Sequence, residues 1–208
     1  MKKEPDNPIS HATLREIIGE IPPLAMNKEL SRLDKHCRHF ISLSPFVCLG
    51  TMSANGKADV SPRGDPPGFV KVIDDTTLLL PDRPGNRRVD SMNNIIENSS
   101  IGMMFFVPGI EEVLRVNGKA EITCDQTLLA ELAIRNIAPK LGLLIKINTV
   151  FFHCAKAIKR SGLWDPDAQI PRSAFPSYGE IIHDQRIPSV SAEELESRVQ
   201  TNYKEELY

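Results

Sequence analysis

The centre of the chain, residues 45–152, consists of short strand-like segments separated by tight-turn signals. Residues 46–52 form an apolar run typical of a buried strand, and Asn55-Gly56 after it is a strong hairpin signal. Further strands are predicted at 58–61, 69–73, 77–80, 101–107, 113–123 and 141–152. Antiparallel hairpins with few crossover helices predict a mainly β barrel, not a parallel α/β sheet.

Helical segments precede this centre. Ser10 is predicted to cap a helix that runs through Glu20, with Pro22-Pro23 ending it. A second helix is predicted over residues 27–41. The apolar positions of these two helices are Leu14, Ile17 and Ile18 in the first and Leu30, Leu33, Cys37 and Phe40 in the second.

Later helices are predicted over residues 86–97, just after Asp125, and from a cap at Ser191. In the first of these, the residues expected to face inward are Val89, Met92, Ile95 and Ile96. We expect a single domain over 1–208, with a helical extension at 1–42, a barrel core at 43–164 and a polar extension of unassigned role at 165–208.

Composition excludes several classes of function. A formal net charge of -2 argues against general binding to nucleic acid or to an anionic membrane, because both need a basic excess. The four cysteines have no C-x-x-C spacing and no apolar leader precedes them, so free thiols in the cytoplasm are expected. His36-Cys37 and His153-Cys154 are adjacent pairs that chelate poorly, and no metal site is predicted.

The stretch from Leu80 to Arg88 suggests an anion site. It is predicted to place Asn86 at a helix N-cap, with Arg87 and Arg88 in the first turn, where the positive end of the helix dipole disfavours cations. A bound phosphate would remove that conflict. The alternative is a solvated loop whose arginines pair with Asp82 or Asp90.

A second stretch runs from Asp59 to Phe69 and breaks into proline and glycine after Ser61. Such a strand end exposes backbone groups and Arg63, which together suit the polar edge of a flat ring. The alternative is an ordinary corner in which Arg63 pairs with Asp65 or Asp59.

A third stretch, residues 152–164, contains the only tryptophan, Trp164. If it is helical, Lys156 and Arg160 share one face at i,i+4 spacing, which favours an anion between them. A surface helix with a core tryptophan is the alternative.

Together these stretches resemble the pyridoxamine 5'-phosphate oxidase-like flavoproteins. The resemblance extends from Phe40 through residues 59–69, 80–90 and 114–120 to Trp164. It implies a six-stranded antiparallel split barrel with helical additions, a homodimer, and flavin mononucleotide (FMN) in grooves at the dimer interface. Asn117-Gly118 fits either a hairpin turn or a bulge, and the resemblance favours the bulge.

The resemblance also assigns roles to residues. Ser61, Pro62, Arg63 and Gly64, with Leu80, Pro81 and Asp82, would lie along the flavin ring. Asn86, Arg87 and Arg88 would hold the phosphate, and Arg115 would lie on the strand that passes the ribityl tail. Lys156, Arg160 and Trp164 would reach the flavin from the second subunit.

The expected function is an FMN-dependent oxidoreductase in which Arg63 stabilises the reduced flavin, with no catalytic residue assigned. The tail after Asp165 carries no Arg-x-His element, which the resemblance associates with pyridoxamine phosphate, so the substrate is left open. The alternative is a flavin-binding or sensing module without turnover. In a haem-binding form of that module, His153 would be the ligand.

Overall fold

The computed structural model describes residues 9–208, and residues 1–8 of the predicted N-terminal extension lie outside the described part. Its centre is one antiparallel sheet of seven strands in the order β2-β1-β5-β6-β7-β4-β3. The strands are β1 (Phe46–Met52), β2 (Ala58–Gly64), β3 (Lys71–Val72), β4 (Thr77–Pro81), β5 (Ser100–Val107), β6 (Ile110–Thr123) and β7 (Gly142–His153).

The predicted mainly β fold is confirmed, and each strand overlaps a segment that the sequence pattern predicts as a strand. There are seven strands, not the six that the family resemblance implies, because the two-residue strand β3 pairs separately with β4. The β1–β2 hairpin predicted at Asn55-Gly56 is present, with residues 53–57 between the paired ends and Gly56 at φ 82°.

The edge strand β2 is longer than predicted. Its pairing with β1 continues through Pro62, Arg63 and Gly64, so the strand does not break after Ser61. Proline is tolerated here because an edge strand has one side without a hydrogen-bonded neighbour. This extension keeps Ser61 and Arg63 on one face of a regular strand.

Strand β6 contains a bulge at Asn117-Gly118, which decides between the two structures predicted for this pair. Its register against β7 shifts between these two residues. A Cβ atom added to Gly118 would overlap the carbonyl oxygen of Lys146. Glycine is therefore required because the backbone of β7 lies directly against it.

Alternating side chains from the strands fill the interior of the curled sheet, together with residues of two helices. The buried positions include Val47, Leu49, Leu78, Leu80, Met103, Phe105, Leu114, Val116, Leu143 and Ile145 on strands and Phe40, Ile41, Met92 and Ile95 on helices. A short helix, α5 (Gln126–Ala130), covers the other side of β4 by packing Leu129 against Leu79. Consequently every residue of β4 is buried.

From residue 9 onward, three helices precede β1: α1 (His11–Ile18), α2 (Pro23–Met26) and α3 (Lys35–Leu43). Ser10 caps α1 as predicted, but the helix ends at Ile18, and a second short helix begins at Pro23. The apolar side chains predicted for α1 are exposed: Leu14, Ile17 and Ile18.

The helix predicted over 27–41 begins later, at Lys35. Asp34 accepts a hydrogen bond from the backbone N–H of Cys37 at 2.8 Å and so caps the helix there. Leu30 instead exchanges two backbone hydrogen bonds with Val150 of β7. A strand partner has therefore replaced the first turns of the predicted helix.

The later helices are α4 (Asp90–Glu97), α5 (Gln126–Ala130), α6 (Lys156–Ser161), α7 (Tyr178–Gln185) and α8 (Ala192–Glu205). The helix predicted just after Asp125 is present, with Asp125 as its cap, and the cap predicted at Ser191 is confirmed. Helix α7, which the sequence pattern did not reveal, has a capping box formed by Ser177 and Glu180 and packs against α8. Within residues 9–208, no helix is both long and apolar enough to cross a membrane.

The helix predicted over 86–97 begins four residues late, at Asp90. Asn86 accepts a hydrogen bond from the backbone N–H of Arg88 at 3.0 Å, forming a local turn that competes with helix. Arg87 and Val89 adopt left-handed backbone conformations, with φ 57° and 53°. The side chains of Met92 and Ile95 are buried as predicted, whereas those of Val89 and Ile96 are exposed.

Candidate functional site

A cleft of about 850 Å³ lies between the ends of β2 and β4, the loop before α4, and the segment before β7. Strand β2 lines it along its length, from Asp59 to Gly64. The remaining lining residues are Phe69, Pro81, Asp82, Arg83, Pro84, Gly85, Asn86, Arg87, Val89, Asp90, Ser91, Met92, Ile137, Ala138, Pro139, Lys140 and Tyr208.

Arg63 joins the two strand ends across this cleft. One terminal nitrogen of its guanidinium donates to Asp82 at 2.8 Å, and both side chains are largely shielded from solvent. Its Nε atom is buried and has no hydrogen-bond partner. Within residues 9–208, it is the one buried side-chain nitrogen or oxygen without such a partner. A buried donor without an acceptor is costly, so a molecule that offers an acceptor there would be stabilised.

The loop before α4 presents Arg87 to the cleft. Arg87 lines the cleft and forms no ion pair with the described residues, whereas Arg88 points elsewhere and pairs with Asp90 at 2.7 Å. The hydrogen bond that Arg88 donates to Asp90 raises the pKa of Arg88. Of the two adjacent arginines, Arg87 is therefore the one available to an anion in the cleft.

The N-terminal end of α4 also lies at the cleft, through Asp90, Ser91 and Met92. Ser91 is buried and donates its hydroxyl to Asp59 of β2 at 3.2 Å. The first N–H groups of a helix have no acceptor within it, and they attract negative charge. The Asp90 carboxylate in the first turn supplies part of this negative charge, and Arg87 adds positive charge nearby.

A polar cluster at the Asp65 end of the cleft was not predicted from the sequence. The side chain of Asp65, only 1% exposed, accepts from Arg83 Nε at 2.6 Å and from the Tyr208 hydroxyl at 2.8 Å. Arg83 also donates to the carbonyl of Leu132 at 2.8 Å. These partners are up to 143 positions apart in the chain, so no local pattern links them.

The cleft brings together eight of the predicted site residues: Ser61, Pro62, Arg63, Gly64, Pro81, Asp82, Asn86 and Arg87. Six others do not line it within the chain: Leu80, Arg88, Arg115, Lys156, Arg160 and Trp164. Of these, Leu80 faces the core, with 1% of its surface exposed.

Arg115 lies on the outer face of β6, beside Phe151 and His153 of β7. Its guanidinium and the Lys28 ammonium are 5.5 Å and 4.7 Å from the centre of the Phe151 ring. Burial lowers the pKa of His153, and the charges of Lys28 and Arg115 lower it further. His153 does not line the cleft. Its lowered pKa means that its surroundings favour the neutral form.

Helix α6 holds Lys156 and Arg160, which are exposed, at the predicted i,i+4 spacing. Trp164 follows it and donates its ring N–H to the carbonyl of Ile110 at 2.9 Å. A second hollow of about 560 Å³ lies between Trp164 and the β5–β6 turn. All three side chains are thus separate from the cleft of their own chain.

The four cysteines, all within the described residues, are free thiols. Across residues 9–208, no group of three or more His, Cys, Asp or Glu side chains is placed to hold a metal ion.

The family model described as pyridoxamine 5'-phosphate oxidase matches residues 33–154, which include all seven strands and most of the cleft. No curated protein sequence matches the chain.

Solved structures similar to this chain have low sequence identity to it. HupZ of Group A Streptococcus is 20% identical, with a TM-score of 0.46 over 58% of this chain and 93% of its own. An FMN-binding protein of Syntrophomonas wolfei is 14% identical, with a TM-score of 0.45 over 56% and 83%. A Clostridium acetobutylicum protein of the pyridoxinephosphate oxidase family is 16% identical, with a TM-score of 0.41 over 57% and 85%.

Proposed function

This chain belongs to the pyridoxamine 5'-phosphate oxidase family, and on that premise we propose that it binds FMN in the β2–β4 cleft and acts as an oxidoreductase. The ring would lie along β2 between Ser61 and Arg63, beside Pro81 and Asp82 of the neighbouring strand end. The phosphate would lie at the loop before α4. The family match makes a flavin the expected ligand, and the residues of the cleft fit its two ends.

The observation that carries this proposal is the unpaired Nε of Arg63. Asp82 holds its guanidinium, and Arg63 lines the cleft, so the arginine is fixed there in one orientation instead of sampling many. The polar edge of a flavin ring offers carbonyl oxygens and ring nitrogens that accept hydrogen bonds. A fixed arginine with a donor to spare suits such an edge better than it suits an apolar ligand.

The opposite end of β2 suits the phosphate. Asp59 and Asp65 are six residues apart on an extended strand, which corresponds to about 20 Å. Ser91, near the N-terminal end of α4, donates to Asp59, so the start of the helix and the strained loop with Arg87 just before it approach the Asp59 end of β2. Left-handed, non-glycine residues such as Arg87 and Val89 are costly and accumulate at binding sites.

When bound, FMN would supply the electron-transfer chemistry, and the protein would supply orientation and charge. Arg63 would hold the ring and place positive charge beside it, and Arg87 would hold the phosphate. The buried floor formed by Pro81 and Phe69 would exclude water from one side of the ring.

The first experiment measures uptake of FMN by the purified protein. We expect a yellow protein that releases flavin on denaturation and prefers FMN to riboflavin. A colourless protein that does not take up added FMN would refute the proposal. Turnover with reduced nicotinamide and an electron acceptor then separates an enzyme from a flavin-binding module.

The second experiment compares Arg87→Ala with Arg88→Ala. Losing a charge-assisted contact to phosphate weakens FMN binding roughly ten- to hundred-fold. We expect that loss in Arg87→Ala and a change below about threefold in Arg88→Ala, because Arg88 does not line the cleft and is paired with Asp90. Riboflavin, which has no phosphate, serves as the control ligand and should bind both variants equally well.

A further inference from the structure

We propose that residues 206–208 form an arm that closes the Asp65 end of the cleft, and that Tyr208 limits the size of molecules that reach the flavin there. This inference rests on the proposed function, because it concerns access to the flavin in the same cleft. It assigns a role to part of the 165–208 extension, whose function the sequence left open.

The arm is held by contacts to three separate parts of the fold. The Tyr208 hydroxyl donates to Asp65, just after β2, at 2.8 Å. Two guanidinium groups lie over the Tyr208 ring. That of Arg83, just after β4, is 5.8 Å from the ring centre, and that of Arg135 is 5.4 Å from it. Both distances are within the range of attraction between a cation and an aromatic ring.

The Asp65 carboxylate depends on the arm for one of its two partners. One oxygen accepts from Arg83 and the other from Tyr208, and the side chain is 1% exposed. Without Tyr208, one oxygen of a nearly buried carboxylate would lose its donor, which is unfavourable. The hydrogen bond to Asp65 raises the pKa of Tyr208, so the hydroxyl remains a donor.

Arg135 lies in a tight turn suited to positioning its side chain. Ile134 and Ile137 exchange two backbone hydrogen bonds, and both central residues, Arg135 and Asn136, have positive φ. The left-handed conformation is unusual for arginine and common for asparagine. The next residues, 137–140, line the cleft, so the turn that carries Arg135 adjoins the cleft wall.

The place of the arm in the cleft follows from the direction of β2. Ser61 and Arg63, proposed to lie along the flavin ring, are followed directly by Gly64 and Asp65. The phosphate end, near Asp59 and Arg87, lies in the opposite direction. Tyr208 is therefore beyond the ring, where a reaction partner that enters from this end would pass it.

The main test measures electron transfer from reduced FMN to quinones of different size. Dithionite reduces the protein-bound FMN, which then gives two electrons and two protons to a quinone, forming a hydroquinone. The ratio of the rate constants for a bulky and a small quinone is compared between proteins, so that the intrinsic reactivity of each quinone cancels.

The variants are Tyr208→Ala, Tyr208→Phe and the control Tyr203→Ala, which removes an exposed tyrosine of α8. We expect the bulky-to-small ratio to rise about fivefold or more in Tyr208→Ala and to change less than twofold in Tyr203→Ala. Tyr208→Phe, which keeps the ring and loses only the hydrogen bond to Asp65, should give a smaller rise. An unchanged ratio in Tyr208→Ala would overturn the proposed role of Tyr208.

A second measurement does not need flavin. Amide hydrogen exchange of the ligand-free protein reports on Ile134 and Ile137, whose mutual hydrogen bonds close the Arg135 turn. If Tyr208 packs against Arg135, the amides of Ile134 and Ile137 should exchange several-fold faster in Tyr208→Ala than in wild type. Their exchange should not change in Tyr203→Ala. Equal exchange in wild type and Tyr208→Ala would show that the arm is not seated. Absence of FMN uptake in wild type would instead contradict the proposed function.

Discussion

At the scale of single residues, Arg63 is the side chain whose chemistry is most closely tied to the proposed flavin. A guanidinium beside the ring stabilises its reduced, more negative form. We expect Arg63→Ala to weaken FMN binding roughly ten- to hundred-fold and to make its reduction potential more negative by about 30 mV or more. Equilibration with a reference dye measures the potential.

Two further variants separate charge from structure in that experiment. Arg63→Lys keeps the positive charge but loses the planar guanidinium that binds Asp82. We therefore expect its FMN reduction potential to stay close to that of wild type, while its affinity for FMN falls further. Arg38→Ala removes an arginine that pairs with Asp75 outside the cleft, and should change neither quantity. An unchanged potential in Arg63→Ala would contradict the role assigned to Arg63.

Cys37 provides a test of the core that is independent of the cleft. Burial raises the pKa of its thiol to about 11, with a hydrogen bond to Asp34 adding to the effect. The thiol therefore stays protonated. The stability that it contributes is complete below the pKa of the same thiol in the unfolded chain, and it is lost as the pH rises through about 11. At about pH 8, iodoacetamide should modify Cys124 and Cys154, which are exposed, and spare Cys37.

Mass spectrometry of the labelled peptides measures this difference. Labelling in denaturant is the positive control, because unfolding should expose Cys37 to the reagent. Equal labelling of Cys37 and Cys124 in the native protein would contradict the observed packing of α3.

Predicted site residues line the cleft where a side chain and its neighbours are close in the chain, or where the family resemblance supplied the partner. The stretch containing Ser61, Pro62 and Arg63 does line the cleft together with Asp82. The Asp65–Arg83–Tyr208 cluster was missed because its members come from three distant segments. Burial of Asp65 comes only from the assembled fold.

At the scale of secondary-structure elements, the bulge in β6 has a direct consequence for stability. Gly118→Ala would place a methyl group inside the contact distance of the Lys146 carbonyl, so either β6 or β7 must shift. Overpacking of this kind costs about 1–3 kcal/mol. Urea unfolding should therefore show a lower midpoint with an unchanged slope.

The matched control for that substitution is Gly85→Ala. A Cβ atom at Gly85 meets nothing within 4 Å, and the residue has no positive φ. Its free energy of unfolding should remain within about 0.5 kcal/mol of wild type. Equal effects of the two substitutions would indicate that β6 and β7 tolerate a side chain at the bulge.

Strands were easier to predict than helix boundaries in this chain, for physical reasons. Alternating burial, as in β5, leaves a direct two-residue pattern in the sequence. Helix starts depend on which polar side chain takes the free N–H groups. At α3 the decisive residue is Asp34, and before α4 the turn at Asn86 delays the helix. Apolar spacing does not detect either competition.

At the scale of the whole molecule, the outer face of the sheet has the character of an interface. Phe46, Cys48, Met104 and Phe106 lie on one face of paired β1 and β5, and Phe46 and Met104 are exposed. Adjoining apolar side chains on a surface commonly mark a contact with another protein. The family resemblance implies a homodimer in which Lys156, Arg160 and Trp164 would reach the flavin of the partner.

Mixed dimers test that arrangement directly. If each site combines Arg87 of one subunit with Arg160 of the other, a dimer of one Arg87→Ala and one Arg160→Ala subunit has one intact site and one doubly altered site. Arg160 suits the test because it is exposed and forms no ion pair within residues 9–208, whereas Trp164 is bonded to Ile110. We expect both altered homodimers to bind FMN weakly and the mixed dimer to take up about one FMN at wild-type affinity. If the Arg160→Ala homodimer instead binds FMN at wild-type affinity, each site is built from a single chain, because Arg160 does not line the cleft of its own chain.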